Sequence, residues 1–146
     1  MSDRHKAVPA SYLILDNNQQ VYLIRRFNTG YMDGYYSVPS GHIEAGESPT
    51  DCVMREGFEE VGVKLNKEDV QFSSVFYRAK ADVTGERVDF FFSAQKWEND
   101  PSNMEEDKCD DGQWFHIDSL PEKIIPFVKD AVLGHYKKET YKEVGF

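Results

Sequence analysis

Three glutamates, Glu56, Glu59 and Glu60, stand at i, i+3 and i+4 in the run Arg55-Glu56-Gly57-Phe58-Glu59-Glu60-Val61. On a helix this spacing gathers the three carboxylates on one face and leaves Met54, Phe58 and Val61 for the opposite one. Like charges so placed destabilise an isolated helix by roughly 0.2–0.5 kcal/mol per pair. A hard divalent cation relieves the repulsion, because carboxylate oxygens are the donors that magnesium and manganese prefer. The bland alternative is a solvated acidic face. A second acidic stretch lies downstream, where positions 98–111 hold seven acids (Glu98, Asp100, Glu105, Glu106, Asp107, Asp110 and Asp111) against Lys108 alone. Positions 47–60 carry −4 and positions 98–111 carry −6, and the rest of the chain adds +1 to give the net charge of −9. The two stretches read either as two solvated surfaces or as one shared cation site.

The elements that must position these groups follow from patterning. Lys6–Leu15, with Tyr12-Leu13-Ile14-Leu15 at its centre, predicts a buried strand. A turn at Asp16-Asn17-Asn18 returns it into a hairpin partner, Gln20–Arg26. A glycine-bearing loop and a short strand at Tyr36–Pro39 lead to Gly41, and Glu47–Glu60 reads as a helix capped by Ser48 with Pro49 in its first turn. Val70–Lys80 and Arg87–Trp97 are rich in Val, Phe and Tyr and predict two more strands. Phe90 and Phe92 face the core there. A short strand near Gln113–Ile117 and a last helix from Pro126, with Val128 and Val132 at helical spacing, complete an α/β arrangement, a mixed sheet covered by helices.

At 146 residues with 40% hydrophobic and 29% charged residues, the chain reads as one globular domain, residues 1–146. Apolar runs are too short for a membrane span, and the opening Met1-Ser2-Asp3-Arg4-His5-Lys6 leads into no export signal. The two cysteines, Cys52 and Cys109, have no metal or redox spacing. These features predict a cytoplasmic protein. No basic face marks a nucleic-acid partner, no membrane partner is expected, and a homodimer is left open.

The pattern Gly41-(five residues)-Glu47-(seven residues)-Arg55-Glu56-Gly57-Phe58-Glu59-Glu60-Val61-Gly62-Val63 resembles the Nudix box of the Nudix hydrolase family. One slot departs: a residue that is usually aliphatic is Gly57, which permits close packing at about 1 kcal/mol of helix propensity relative to alanine. The resemblance continues upstream through Arg25–Gly34 and Val38-Pro39-Ser40-Gly41, and downstream through Glu105–Cys109 and Trp114-Phe115, as in bacterial MutT-like members. It implies a Nudix-type α/β/α sandwich with a mixed β-sheet.

The resemblance also implies hydrolysis of a nucleoside diphosphate linked to a further group, with Mg²⁺ as cofactor and Mn²⁺ as substitute. Glu56, Glu59 and Glu60 would bind the metal, with the Ser40 carbonyl and Glu105 adding ligands; Glu106 stands beside Glu105 where similar members carry proline. Glu56 or Glu59 would help deprotonate water, and Arg55 would orient a catalytic carboxylate. Glu47 would tie the loop to the helix, and Gly41 and Gly62 would serve backbone geometry. Arg26, Tyr31 and Tyr36 are candidates for the nucleotide substrate, with Phe27 and Tyr35 as further aromatics nearby. Some subgroups carry a proline or tyrosine mark downstream of the box. Here the stretch reads Arg78, Ala79, Lys80 and Ala81, which makes a (deoxy)nucleoside triphosphate, oxidised or not, the leading substrate. ADP-ribose is the alternative, and so is a catalytically idle nucleotide-binding domain. An acidic calcium module lacks its EF-hand loop.

Overall fold

The computed structural model describes residues 3–146; the polar start at Met1 and Ser2 lies outside them. In chain order the elements are β1 (Val8–Asn17), β2 (Gln20–Arg26), β3 (Tyr36–Ser37), β4 (Ser40–His42) and α1 (Pro49–Val61), followed by β5 (Gln71–Arg78), β6 (Arg87–Ala94), β7 (Cys109–His116), α2 (Pro126–Tyr136) and β8 (Tyr141–Val144). β1 is buried from Ala10 to Asp16, as an unbroken apolar run requires of a strand covered on both faces. Asn18 and Gln19, both at positive φ, make the two-residue turn into β2; such a turn matches the twist of the strands it joins.

β1 and β2 pair only at Asp16–Val21 and Asn17–Gln20 and then splay. The chain refills the fork they leave. β3 pairs antiparallel with β2, while β4 pairs antiparallel with β1, so Ser40 and Gly41 are held inside the sheet and not on a free loop. On the far edge of β1 lies β6, parallel to it, then β5 antiparallel and β8 parallel to β5. β7 runs antiparallel to β2. The result is a mixed eight-stranded sheet with a helix on each face, the α/β architecture expected. α1 packs with Leu13, Leu15, Ile24 and Phe92, against which Phe90 is also packed. α2 packs through Phe127, Val128 and Val132 on Tyr12, Ile14 and Phe91.

Three details differ from the sequence reading. β8 was not expected, because Tyr-Lys-Glu-Val is a mostly exposed edge strand with no apolar alternation to announce it. β7 begins at Cys109 and not at Gln113, so the end of the acidic stretch is paired strand. Asp111 lies opposite Arg25 in the β2–β7 register, and Arg25 Nε donates to Asp110 at 2.7 Å. Phe58 does not share the buried face of α1: it is 59% exposed, whereas Val53, Gly57 and Val61 are buried. Those three are four residues apart and form one stripe, from which Phe58 is rotated by a full residue step.

The helix ends are as the sequence specifies. The Ser48 side chain accepts from the Asp51 amide at 3.0 Å, Pro49 opens the first turn, and Gly62 at φ 75° closes the helix with its amide on the Phe58 carbonyl. Gly57 lets α1 approach β1, since a Cβ there would stand 2.9 Å from Leu13 Cδ2 and 3.4 Å from Val63 Cγ2. Gly57→Ala therefore sets about 1 kcal/mol of gained helix propensity against about 1–3 kcal/mol of overpacking. The expected outcome is a lower midpoint in chemical denaturation; a raised midpoint would mean that the contact is relieved without strain.

Candidate active site

The fork brings α1 to the opening between β1 and β2, and each carboxylate is fixed by a different partner there. Glu60 Oε1 accepts from the Ser40 amide at 2.7 Å. Glu56 occupies the space a side chain at Gly41 would need, because a Cβ there would lie 2.2 Å from its Cδ. Gly41 is thus required for close approach and not for an unusual φ. Arg55 gathers the rest. Its Nε and Nη2 donate to Glu47 at 2.7 and 3.0 Å, while Nη1 donates to Glu56 at 2.7 Å and Glu59 at 3.3 Å. Glu47 also accepts from the Glu44 amide at 3.1 Å, which ties the loop before α1 to the helix.

These contacts open onto a cavity of about 740 Å³, within the range of small-molecule sites. Glu56, Glu60, Ser40 and Gly41 line it together with Glu105, Arg26, Tyr31, Lys108 and Cys109. Tyr12, Arg78, Arg87 and Phe127 line it as well. Glu56 and Glu60 come from the helix on one face of the sheet, whereas Tyr12 and Phe127 belong to the core on the other. The fork is what lets groups from both faces meet in one space.

The electrostatics follow from this burial. The hydrogen bonds from Arg55, reinforced by the Glu44 amide, hold the Glu47 carboxyl down to about 2. Burial raises Glu56, against the pull of Arg55 and with the negative charges of Glu59 and Glu105 adding to the rise. Glu60 is pushed well above the usual carboxylate range by burial, opposed by the Ser40 amide and supported by Glu56 and Glu105. Burial also lifts the Cys109 thiol to about 11. Glu56 and Glu60, each uncomfortable when charged and aggravated by each other and by Glu105, form a donor set that suits a hard cation. Among the described residues no group of three His, Cys, Asp or Glu side chains is already closed around one point as a metal cage.

The placement of the sequence candidates is uneven. Glu56, Glu60, Glu105, Ser40, Arg26 and Tyr31 reach the cavity. Glu59 stays about half exposed beside Arg55, outside the lining, and Glu106 is exposed. Arg26 is held by the Tyr31 carbonyl at 2.7 Å and Thr29 Oγ1 at 3.1 Å, with its guanidinium over the Tyr31 ring. Tyr36 is a correction to the substrate-binding set. It is buried in β3, its ring edge-on to Phe115 and its hydroxyl donating to Asp111, and it does not line the cavity. Phe27 and Tyr35 do not line it either. Lys108, Arg78 and Phe127 were missed, since nothing in local spacing links them to the box.

The sequence model of the NUDIX domain matches residues 5–133. A relative, an NAD-capped RNA hydrolase NudC of Pseudomonas syringae pv. tomato, is 30% identical over 133 residues, which cover 91% of this chain and 43% of that protein. The chain therefore spans less than half the length of the NudC relatives it matches. The 8-oxo-dGTP diphosphatase of Escherichia coli is 26% identical over 127 residues, covering 86% of this chain and 92% of that one. Among solved structures, a MutT NUDIX hydrolase from Burkholderia pseudomallei superposes with a TM-score of 0.80 at 21% identity, covering 88% of this chain and 98% of that one. Since the matched span runs from before β1 into α2 and so takes in the fork, the box helix and the residues that line the cavity, this chain belongs to the Nudix hydrolase family.

Proposed function

We propose that the protein is a metal-dependent pyrophosphohydrolase whose substrate is a (deoxy)nucleoside triphosphate. The observation that carries this reading is the grouping of Glu56, Glu60 and Glu105, close enough to act on one another electrostatically, in the lining of a cavity that also holds Arg26 and Lys108. Glu56, Glu60, Glu105 and the Ser40 carbonyl would hold Mg²⁺, joined by Glu59 from the exposed side of α1, and Mn²⁺ would substitute. When bound, a divalent cation neutralises phosphoryl oxygens and lowers the pKa of water.

The chain's own groups do the rest. Arg26, fixed by Tyr31 and Thr29, contacts a phosphate, and the Tyr31 ring flanks the substrate. Arg55 is a positioning residue: it holds Glu56 and Glu59 in place, and one of these two takes the proton from the attacking water. A second reading, cleavage of a larger compound such as a dinucleotide, is favoured by the similarity to proteins named as NAD-capped RNA hydrolases.

Incubation of the protein with Mg²⁺ or Mn²⁺ and a panel of NTPs, 8-oxo-dGTP, ADP-ribose and NAD is expected to release a nucleoside monophosphate, with the highest kcat/KM on a triphosphate. Glu59→Gln is expected to lower kcat by about 10²–10⁴-fold, the usual scale of general acid–base catalysis. An uncut panel, or full activity in the variant, overturns the reading, and a clear preference for NAD or ADP-ribose replaces it with the second.

Gly41→Ala provides a geometric test, because the added methyl displaces the end of a flexible side chain, Glu56. Activity is expected to fall at least about tenfold, while the free energy of unfolding falls by no more than about 1–3 kcal/mol, the usual cost of overpacking. The acidic loop is tested by titrating Mg²⁺ activation. Glu105→Gln should weaken it and lower kcat, whereas Asp100→Asn and Asp111→Asn should change it little; equal small effects would leave the loop a solvated surface.

A further inference from the structure

We propose that Arg78 reads the substrate's nucleobase and that the base it fits is guanine. The inference rests on the nucleotide reading above and concerns the part of the cavity lined by Arg78 and Phe127. Arg78 closes β5. Its Nε donates to Asp89 Oδ2, and its Nη2 is 3.3 Å from Oδ1. Asp89 is completely buried. The guanidinium carbon lies 3.8 Å from the centre of the Phe127 ring. Two constraints, one in the plane and one normal to it, therefore fix the orientation of the guanidinium.

This arrangement uses only the side-on edge of the guanidinium. Among the described residues its Nη1 makes no hydrogen bond, so the end-on pair, Nη1–H and the second Nη2–H, stays free on a residue that lines the cavity. A rigid two-donor edge matches two adjacent acceptors. Guanine presents such a pair, O6 and N7, whereas adenine sets a donor, N6, beside N7. Phosphate or carboxylate would satisfy the fork too, but Asp89 cancels the charge of Arg78 and removes the attraction for a second anion. Neutral acceptors are the better partner.

Position supports the same assignment. Ser40 and Gly41, which meet Glu60 and Glu56, lie on β4. Through Tyr12 and Phe91 the residue of β5 opposite Ser40 is Ser74, so Arg78 stands three strand spacings across and four residues along the sheet, roughly 19 Å from Ser40 between backbones. The long arginine side chain spans part of that gap toward a nucleotide held at the carboxylates. The pair is not explained by stability, since apolar replacements of buried ion pairs are often neutral or stabilising. Oxidation to 8-oxoguanine places a hydrogen on N7 and removes one of the two acceptors, so the fork favours unmodified guanine.

The test is calorimetric titration of GMP, AMP and 7-deaza-GMP into the full chain, with Arg78→Lys as the variant that keeps the charge beside Asp89 but lacks the fork. GMP is expected to bind about tenfold or more tighter than AMP and 7-deaza-GMP, and Arg78→Lys is expected to erase both differences. Equal binding of GMP and 7-deaza-GMP, no binding of GMP, or an undiminished preference in Arg78→Lys overturns the proposal. Should Arg78→Lys fail to fold, the GMP against 7-deaza-GMP comparison on the unaltered chain decides alone. Hydrolysis of nucleoside triphosphates without discrimination between bases would sink this inference and leave the proposed activity standing. Discrimination in binding without any hydrolysis would do the reverse.

Discussion

Arg55 is the interaction on which the site depends. One guanidinium donates to Glu47, Glu56 and Glu59 and to the His42 carbonyl, so it joins the loop before α1 to the middle and the last turn of the helix. Without a fixed cation, Glu56, Glu59 and Glu60 would repel one another on one helix face. Arg55 lies closer to burial than to exposure, at 27%, where charge-assisted hydrogen bonds count for more than they do in water. Its deepest partner in electrostatic terms is Glu47, whose carboxyl it holds at about 2. Glu47 therefore stays charged at neutral pH and well below it.

The second constraint is the fork between β1 and β2. A hairpin paired along its whole length would have closed the sheet and kept the side chains of its two faces apart. Pairing stops after two registers, and the stretch from Tyr36 to His42 supplies both exposed edges with partners. Both edges of the fork are thereby paired, and the amide of Ser40 is free to meet Glu60. Close packing of α1 then depends on two glycines whose side chains would collide with neighbours, Gly57 with Leu13 and Gly41 with Glu56. Neither has positive φ; both are there for space.

The acidic stretch divides in the structure according to what stands opposite. Asp110 and Asp111 are strand residues matched by Arg25 and by the Tyr36 hydroxyl. Glu105 lines the cavity and Lys108 sits 3.9 Å from it. The remaining acids stay in solvent. A charge run that looks uniform in sequence thus carries three different electrostatic situations.

The sequence alone determined the helix and its chemistry, because both are local. Ser48, Pro49 and Gly62 set the ends of α1 by capping and backbone preference, and the i, i+3, i+4 glutamates share a face whatever lies around them. The strong strands were legible for the same reason, from continuous apolar runs such as Tyr12–Leu15. Only the tertiary structure decided what depends on partners distant in the chain. β8 is held by its pairing with β5 and not by any pattern of its own. Tyr36, which by sequence could have flanked a substrate, is drawn into the core by Phe115 and Asp111. Glu105 is separated from Glu106, its neighbour in sequence, because one faces the cavity and the other solvent. Arg78 gains its meaning from Asp89 on the adjacent strand and Phe127 on the opposite helix, contacts that no spacing within a segment encodes.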